Sequence, residues 1–348
     1  MIRGFFFPYV LKFRKPSGTS RGILTEKKSW FLVLEDTQMN HARGIGEVGW
    51  LRGLSPEKES DIEDILADVC NSPDNPQWLQ HDLLEFPSVR FALEQALLDL
   101  DKNQKGILFP SAFTRGEKAI DINGLVWMAP IEQMRAQVKE KIEQGFRCIK
   151  LKIGALDFED EYHLLSEIRS EFTSEQIEIR VDANGAFHPD EAAGILEKLA
   201  RLELHSIEQP IKQGQLKSMA ELCKNTPLPI ALDEELIGIA QLPQKIELLN
   251  EIQPQYIILK PSLTGGFISS EEWIALAEQK NIGWWITSAL ESNIGLNAIA
   301  QWTATLQNNL PQGLGTGALY TNNFESSLEV KNGQLHFHPD RKREYPFE

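Results

Sequence analysis

The sequence predicts an α/β fold, a (β/α)8 barrel of the TIM type that follows an N-terminal α+β capping domain. Three observations carry this prediction. Segments before about residue 50 are of β type and are followed by two helical patterns. Segments after residue 121 alternate between short apolar strands and amphipathic helices, and five of those strands end in a charged residue. Eight βα units over about 200 residues are typical of a barrel whose active site lies at the carboxyl ends of its strands.

The capping domain is predicted from β-rich segments that are followed by two helical patterns. The segments FFFPYVLKF, GILTEKKSWFLVLED and ARGIGEVGW have strand character and are separated by polar turns such as KPSGTS. Helical periodicity follows at 57–70 and at 88–102. We therefore assign residues 1–110 to this domain, and we expect the C-terminal segment 322–348 to return to it.

The barrel is predicted over residues 111–321, where strands and helices alternate. The helix of the eighth unit has the weakest pattern. Beyond the barrel, the tail 327–337 has the pattern of a hairpin around Asn332 and Gly333. The eight barrel strands are expected at 122–129, 148–153, 177–183, 204–209, 229–234, 256–260, 283–289 and 312–317.

The composition favours a soluble protein that binds a small molecule. A net charge of -15 leaves no basic excess to meet nucleic-acid phosphates or an anionic membrane. The apolar patch in MIRGFFFPYVLKFRK is too short and too interrupted for a signal peptide or a membrane span. The 3 cysteines show neither CxxC nor disulfide spacing, which indicates a reduced, cytoplasmic setting. Nothing in the sequence indicates an oligomeric state.

The stretch CIKLKIG, residues 148–154, combines a strand pattern with two lysines. Alternate side chains of a strand share a face, so Lys150 and Lys152 point to one side and the aliphatic residues between them point to the other. If the aliphatic side packs under helices, both ammonium groups face the inside of the barrel, where an unpaired charge is costly. The stretch therefore predicts a charged site at the barrel mouth.

Charged residues recur at the ends of five successive strands. They follow one another at intervals of 25 to 30 residues, which is about one βα unit each. Because the strands of a barrel end at the same face, we expect these side chains to converge there. They are Lys152, Asp182, Glu208, Asp233 and Lys260.

The types of these residues predict a metal-assisted proton transfer. Three carboxylates on adjacent strands stay ionised together only around a cation. Oxygen ligands without His or Cys favour Mg²⁺, with Mn²⁺ as its substitute, over Zn²⁺. Lys152 could then take the proton α to a substrate carboxylate while the metal stabilises the enediolate. A single acidic residue at a strand end is often only a helix cap, but a set in register argues against that reading.

Five short motifs, KLK, VDAN, IEQP, LDEE and LKPS, follow one another in this order, one for each strand. Together with the N-terminal domain, these motifs resemble those of the enolase superfamily, in its muconate-lactonizing subgroup. The resemblance covers nearly the whole chain. The resemblance implies Mg²⁺ binding and acid–base catalysis by lysine. By motif position, the implied metal ligands are Asp182, Glu208 and Asp233, the acid/base is Lys152 with Lys150 as its companion, the lysine of strand six is Lys260, and Asn184 and Glu234 stand beside the ligands.

The end of strand seven, TSALESNIG, resembles the Ser-rich segment of the o-succinylbenzoate synthases of menaquinone synthesis. This resemblance implies dehydration of 2-succinyl-6-hydroxy-2,4-cyclohexadiene-1-carboxylate to o-succinylbenzoate, through proton abstraction by lysine and a metal-stabilised enediolate. Gly315 and Thr316 could be turn residues only, or could present N–H groups to a carboxylate. The residues expected beside the ligands or the substrate are Ser288, Glu291, Gly315, Thr316, and Ser20 and Arg21 in the loop KPSGTSRG.

Two other readings stay open. N-succinylamino acid racemases and dipeptide epimerases of the same superfamily share the lysine pair. The epimerases usually carry Asp-x-Asp on strand eight to grip the substrate ammonium, whereas this chain has GLGTGAL there. A non-catalytic binding protein with the same fold is the second alternative, and the intact set of lysines and carboxylates argues against it.

Overall fold

The computed structural model of this chain describes residues 2–19, 22–38, 41–102, 106–341 and 345. Its N-terminal part is a three-stranded antiparallel sheet in the order β1-β2-β3 with two helices and two short helical turns. The bounds are β1 Ile2–Thr19, β2 Gly22–Asp36, β3 Ala42–Val48, the turns Glu59–Asp61 and Trp78–Asp82, α1 Ile62–Asn71 and α2 Pro87–Asp101.

Both faces of the N-terminal sheet are covered. On one face, Trp30 and Leu32 of β2 are fully buried in a cluster with residues of α1 and α2. On the other face, Phe31 and Val33 are buried in a cluster that includes Phe324 of the C-terminal segment. This double burial explains why β2 contains a continuous apolar run rather than an alternating one.

The hairpin of β1 and β2 is longer than the sequence predicts. The sequence predicts a turn at KPSGTS, but β1 continues through this segment to Thr19. Its pairing with β2 shifts register between Lys12 and Ser17. The residues between them include Pro16, which has no N–H to give to a strand ladder, and the ladder resumes after it.

The second part of the molecule is a curled parallel sheet of strands in chain order, with helices in the connections between them. The strands are β4 Ile120–Asp121, which precedes this sheet, and then β5 Gly124–Val126, β6 Cys148–Lys152, β7 Glu178–Asp182, β8 Ser206–Glu208, β9 Ile230–Leu232, β10 Tyr256–Leu259 and β11 Gly283–Ile286. The helices are α3 Ile131–Glu143, α4 Phe158–Glu171, α5 Pro189–Ala200, α6 Leu216–Asn225, α7 Leu242–Ile252, α8 Pro261–Thr264, α9 Gly266–Gln279 and α10 Asn293–Thr303, with a helical turn at Glu234–Leu236.

The eighth unit of the barrel is reduced. The sequence predicts a strand over 312–317, but the pairing there consists of two bridges, from Gln312 to Ile122 and from Gly313 to Thr287. These bridges join the two edges of the sheet and close the predicted barrel. No helix follows them in the part of the chain that the structure describes. Gly and Pro are poor strand formers, which accounts for the short pairing in PQGLGTG.

The C-terminal segment contacts both the barrel and the N-terminal sheet. The predicted hairpin forms from β12 Leu328–Lys331 and β13 Gln334–Phe337, and β13 pairs with β4 at the start of the barrel rather than with the N-terminal sheet. Just before it, the N–H of Thr321 donates to the carbonyl of Lys12 in β1 (2.8 Å). The domain boundaries drawn from the sequence stay a prediction.

The aliphatic residues of β6 face the helix layer, as the sequence predicts. Ile149, Leu151 and Ile153 belong to the main apolar cluster together with Leu164 and Leu165 of α4. The two lysines of β6 therefore lie on the barrel's inner side. Among the described residues, no helix is both long enough and apolar enough to cross a membrane.

Candidate active site

The five charged side chains predicted from the strand spacing meet at the carboxyl ends of adjacent strands. The strand register places Lys152 beside Asp182, and Asp182 beside Glu208. Asp233 and Lys260 directly follow β9 and β10. The three carboxylates are at most 2% exposed, so their charges depend on one another and on the lysines rather than on water.

Lys150 lies between two of the carboxylates. Its Nζ is 3.0 Å from Asp182 Oδ2 and 2.5 Å from Glu208 Oε2. Burial lowers the pKa of Lys150, but the charges of Asp182, Glu208 and Asp233 outweigh it and hold the pKa above its ordinary value. Lys150 is therefore a fixed positive charge, unsuited to accept a proton.

The side-chain amide of Asn184 orients Lys152. Its Nζ donates to Asp182 Oδ2 (2.9 Å) and to Asn184 Oδ1 (2.7 Å). Asn184 Nδ2 in turn donates to Glu234 Oε1 (3.0 Å), which fixes the amide so that its oxygen faces the lysine. Asn184 has a left-handed backbone (φ 45°), a conformation that Asn tolerates better than most residues. The structure thus brings Asn184 and Glu234 together at the position that the motifs imply.

Lys260 contacts the cluster on the side opposite Lys152. The pKa values of two of the carboxylates are shifted in different directions. Lys260 Nζ donates to Asp233 Oδ2. Burial raises the pKa of Asp182, but Lys150, Lys152 and Lys260 outweigh it and bring the pKa below its ordinary value. Burial, reinforced by the negative charge of Asp182, raises the pKa of Glu208 well above its ordinary value. The cluster therefore has too little positive charge near Glu208.

Gln209 and Glu235 were not assigned a role by sequence reasoning, although both belong to motifs quoted above. Gln209 is fully buried, and its Oε1 accepts from the N–H groups of Asp233 and Glu235 (3.3 Å each). Its Nε2 donates to Glu235 Oε2 (3.0 Å). These bonds tie the loop after β8 to the loop after β9 and so fix the position of Asp233.

A cavity of about 320 Å³ opens above the charged cluster. Ser288, Gly315 and Thr316 line it, as the sequence predicts for residues beside a substrate, and Ser288 Oγ lies 2.6 Å from Thr316 Oγ1. Glu291 is fully buried and is not among the lining residues. It accepts a hydrogen bond from the N–H of Ala289 (2.7 Å), which lines the cavity, and so holds the cavity wall without lining the cavity itself.

The N-terminal part covers one side of this cavity with Leu24 and with residues 51–54. Gly18 of β1 forms a bridge to Met128 at the barrel mouth, and a Cβ at Gly18 would lie 2.2 Å from the carbonyl oxygen of Met128. Ser20 and Arg21, the predicted loop contacts, lie outside the described residues. Residues 51–54 carry no periodic or motif signal that could have identified them from sequence.

The site can be compared with known proteins. Residues 133–341, more than half of the chain, match the family model described as enolase C-terminal domain-like. The chain is also 48% identical to the o-succinylbenzoate synthase of Desulfotalea psychrophila, over 93% of this chain and 96% of that protein. The chain belongs to the enolase superfamily.

Two further comparisons agree with this membership. The crystal structure of MenC from Desulfotalea psychrophila superimposes with a TM-score of 0.85 at 44% identity and covers 96% of this chain and 99% of its own. The N-succinylamino acid racemase of Thermus thermophilus is 30% identical over 75% of this chain and 70% of that protein. The (β/α)8 fold with an N-terminal cap and the superfamily predicted from the motifs are therefore confirmed.

Enolase superfamily enzymes use a divalent metal ion, and the residue types of the cluster, though not their present arrangement, suit one. Glu208 Oε1 is buried and has no hydrogen-bond partner among the described residues. Three carboxylates converge without His or Cys, which suits a hard cation. No three acidic, His or Cys side chains in the described part of the chain are arranged as a metal ion would need. Lys150 and Lys260 instead bind oxygens of these three carboxylates.

Proposed function

We propose that this enzyme is an o-succinylbenzoate synthase, a hydro-lyase of menaquinone synthesis that dehydrates 2-succinyl-6-hydroxy-2,4-cyclohexadiene-1-carboxylate to o-succinylbenzoate. The observation that carries this proposal is the 48% identity to a synthase of that name across nearly the full length of both chains. The inward lysines at the ends of β6 and β10 supply the groups that such a reaction requires. A cytoplasmic setting stays a prediction from the three cysteines, none of which is in a disulfide.

The metal in this proposal is Mg²⁺, held by Asp182, Glu208 and Asp233. When bound, it would compensate the carboxylate charges and stabilise the negative charge that develops on the substrate carboxylate. Asn184 and Glu234 hold Lys152 beside this position, and Gln209 holds Asp233. The protein's own contribution is thus a fixed arrangement of opposite charges in a site shielded from water.

Lys152 carries the proton transfers. As the substrate's α C–H bond breaks, the neutral amine of Lys152 takes the proton. The resulting ammonium then gives a proton to the departing hydroxyl, the C–O bond breaks, and water leaves as the ring becomes aromatic. Lys152 returns to its neutral form, so the reaction needs no other reactant. Lys260 stays protonated and stabilises the developing negative charge from the opposite side. Burial lowers the pKa of Lys260, but the charges of Asp233 and Glu208 outweigh burial and hold that pKa above its ordinary value.

The runner-up is racemisation of an N-succinylamino acid. The 30% identical racemase favours it, and so does the placement of two lysines on different sides of one cluster. Racemisation needs a proton transfer at each face of the α-carbon, so both lysines would have to exchange protons. Dipeptide epimerisation is the weaker form of this alternative, because segment 313–319 contains no acid.

The deciding experiment compares dehydration with racemisation in one preparation. Purified enzyme is freed of divalent ions by a chelator and then assayed for dehydration and for racemisation of a panel of N-succinylamino acids, with and without added Mg²⁺ or Mn²⁺. We expect dehydration to vanish without metal, to return with it, and to exceed racemisation in kcat/KM. Full activity of metal-free enzyme would contradict the metal assignment, and faster racemisation would reverse the ranking of the two functions.

The ligand assignment is tested by direct metal binding. Asp182→Asn, Glu208→Gln and Asp233→Asn each remove one negative charge from the cluster, and each should weaken Mg²⁺ binding strongly. Calorimetric titration measures the affinity without reference to turnover. Unchanged affinity in two of the three variants would remove those residues from the ligand set.

A further inference from the structure

A buried polar cluster lies where the N-terminal sheet meets the barrel, apart from the charged cluster at the strand ends. It combines carboxylates, hydroxyls and one lysine from both parts of the molecule, and every member is at most 5% exposed. Its members are Lys27, Ser29 and Glu47 of the N-terminal sheet and Ser262, Glu291 and Ser292 of the barrel. We call it the interface cluster.

Glu47 of β3 holds the start of a barrel helix. Its Oε1 accepts from Ser29 Oγ (2.9 Å) and from the N–H of Ser292 (2.9 Å). Its Oε2 accepts from Ser292 Oγ (2.5 Å) and from the N–H of Gly295 (3.1 Å). The first N–H groups of a helix have no partner within the helix and carry partial positive charge. Glu47 therefore caps α10 from a different part of the molecule.

The residues before α10 form a wall of the substrate cavity in a strained conformation. Ser288, Ala289 and Leu290 line the cavity. Leu290 has a φ of 61°, in the left-handed region that a γ-branched residue rarely adopts. A strained residue of this kind persists only when its surroundings fix it from several sides. Here Tyr320 donates its O–H to the carbonyl of Leu290 (2.7 Å), and Ser292 is held by Glu47.

Glu291 and Lys27 belong to the two halves of the interface cluster, Glu291 to the barrel and Lys27 to the N-terminal sheet. Glu291 accepts from the N–H of Ala289 (2.7 Å) and from Ser262 Oγ (2.5 Å), so it joins the loop after β11 to the helix that follows Lys260. Lys27 Nζ lies 3.9 Å from Glu47 Oε1. Burial lowers the pKa of Lys27, and the charges of Glu47 and Glu291 oppose that effect. The positive charge of Lys27 thus acts on both carboxylates, although burial still raises the pKa of Glu291 above its ordinary value.

We propose that Glu47 is a positioning residue for substrate binding: it holds the strained wall 288–290 of the cavity through Ser292. The identity of the substrate in this proposal rests on the function proposed above. Glu47 is not among the residues that line the cavity, and it lies on a different element from either catalytic lysine. A wall that would contact the substrate equally in the ground state and in the transition state contributes uniform binding, so its displacement should weaken binding without slowing chemistry.

The chain offers a matched control at Glu57. This residue is also buried, and it accepts from the N–H of Ser88 (3.0 Å) and from Ser88 Oγ at the start of α2, within the N-terminal part. Glu47 and Glu57 therefore both accept from the N–H and the Oγ of a serine at a helix start. Only the serine bound by Glu47 lies two residues after the cavity wall 288–290. The comparison of Glu47→Gln with Glu57→Gln separates positioning from a general loss of stability.

The test measures steady-state kinetics and amide hydrogen exchange on the metal-loaded enzyme. Glu47→Gln should raise KM about tenfold, the effect of one lost hydrogen bond to a charged group, and should change kcat by less than about threefold. It should also accelerate exchange at residues 289–292. Glu57→Gln should leave both KM and that exchange within about twofold of the parent enzyme. An equal rise of KM in the two variants, or a fall in kcat alone for Glu47→Gln, would overturn the proposal.

Two further arms keep the result decisive. If Glu47→Gln does not fold, Ser292→Ala removes one of its bonds and Ser88→Ala is the matched control; the proposal then requires KM to rise in the first variant only. If the parent enzyme does not dehydrate the expected substrate, the proposed function fails by itself. The exchange experiment still decides whether Glu47 holds the wall, because it needs no turnover.

Discussion

Lys152 and Lys260 have different surroundings, although both contact a carboxylate of the same cluster. Lys152 Nζ donates to both Asp182 and Asn184. Lys260 Nζ donates to Asp233, and Lys260 directly follows β10, which lies four strands from β6 in the sheet. Under the proposed function, we expect Lys152 to exchange protons while Lys260 only supplies charge.

The two lysines should therefore respond differently to substitution. Lys152→Ala removes both proton transfers of dehydration and should leave essentially no activity, since a single acid–base group is typically worth ~10²–10⁴-fold. Lys260→Arg keeps the positive charge but cannot act as a base at neutral pH. It should retain measurable dehydration while racemisation of N-succinylamino acids disappears. Both rates are measured on both variants, and equal dehydration by the two would show that the acid/base is assigned to the wrong lysine.

Glu94 predicts a pH dependence of stability. Burial raises the pKa of this carboxyl from 4.5 to about 7, against the opposing charge of Arg90. Between these two values the folded state binds more protons than the unfolded state, so the free energy of unfolding falls as the pH rises from 4.5 to about 7. Glu94→Gln keeps an acceptor for the N–H of Phe267 but does not titrate.

Urea denaturation of the parent protein and of Glu94→Gln at several pH values between 4 and 8 checks this pH dependence of stability. The stability of the parent relative to Glu94→Gln should decrease by up to about 3 kcal/mol across that range. Parallel pH profiles for the two proteins would mean that Glu94 is not protonated in the folded state near neutral pH.

At the scale of elements, the contact between β3 and α2 depends on glycine. A Cβ at Gly46 would lie 1.8 Å from the carbonyl oxygen of Ala92, and one at Gly44 would lie 2.1 Å from that of Ala96. The strand can approach the helix this closely only without side chains at these two positions. Because β3 also carries Glu47, this approach decides where the cap of α10 lies.

Gly46→Ala should therefore destabilise the protein by about 3 kcal/mol, since the helix backbone cannot move aside cheaply. Gly194 in α5 is the control, because a Cβ there has no atom within 4 Å. Gly194→Ala should stabilise by ~0.5–1 kcal/mol, the usual difference between Gly and Ala within a helix. Urea denaturation at a fixed metal concentration measures both changes. A neutral Gly46→Ala would show that β3 and α2 can separate without cost.

At the scale of the whole molecule, the cavity has a charged floor from the barrel and a largely apolar cover from the N-terminal part. Lys150, Lys152 and Lys260 line the floor, and Leu24, Leu51 and Leu54 lie on the cover side. Such a cavity suits an anionic substrate with an apolar ring. It offers no acidic residue in segment 313–319 for a substrate ammonium.

Free dipeptides should consequently be poor substrates. We expect kcat/KM for epimerisation of L,L-dipeptides to fall well below that for dehydration, because a buried ammonium without a partner is costly. N-succinylation of the same amino acids should increase turnover, since it replaces the cation by an anion. Both series can be followed by solvent deuterium incorporation at the α-carbon. Efficient epimerisation of free dipeptides would overturn this ranking.

Much of the fold and of the candidate site could be predicted from the sequence because the relevant signals are local. Strand alternation places Lys150 and Lys152 on the inner side of β6, and the spacing of one βα unit brings Asp182, Glu208 and Asp233 to the same end of the barrel. The first inference needs only that the aliphatic side of β6 packs under helices, and neither requires the particular partners of each segment. Two predictions were wrong, the strand over 312–317 and the turn at KPSGTS. The strand is reduced to two bridges because Gly and Pro are poor strand formers. The turn is replaced by the continuation of β1 to Thr19, because that segment pairs with β2.

Only the tertiary structure decided which residues support the site from outside it. Glu47 and Ser292 are 245 residues apart in the chain, and no periodicity or motif connects them. Gln209 stood within a recognised motif, yet its role depends on two backbone N–H groups in the next loop. The positive φ of Leu290 cannot be inferred from a leucine in the sequence. Local pattern determines which way a side chain points along its own strand, whereas its partners depend on distant segments that only the folded chain brings together.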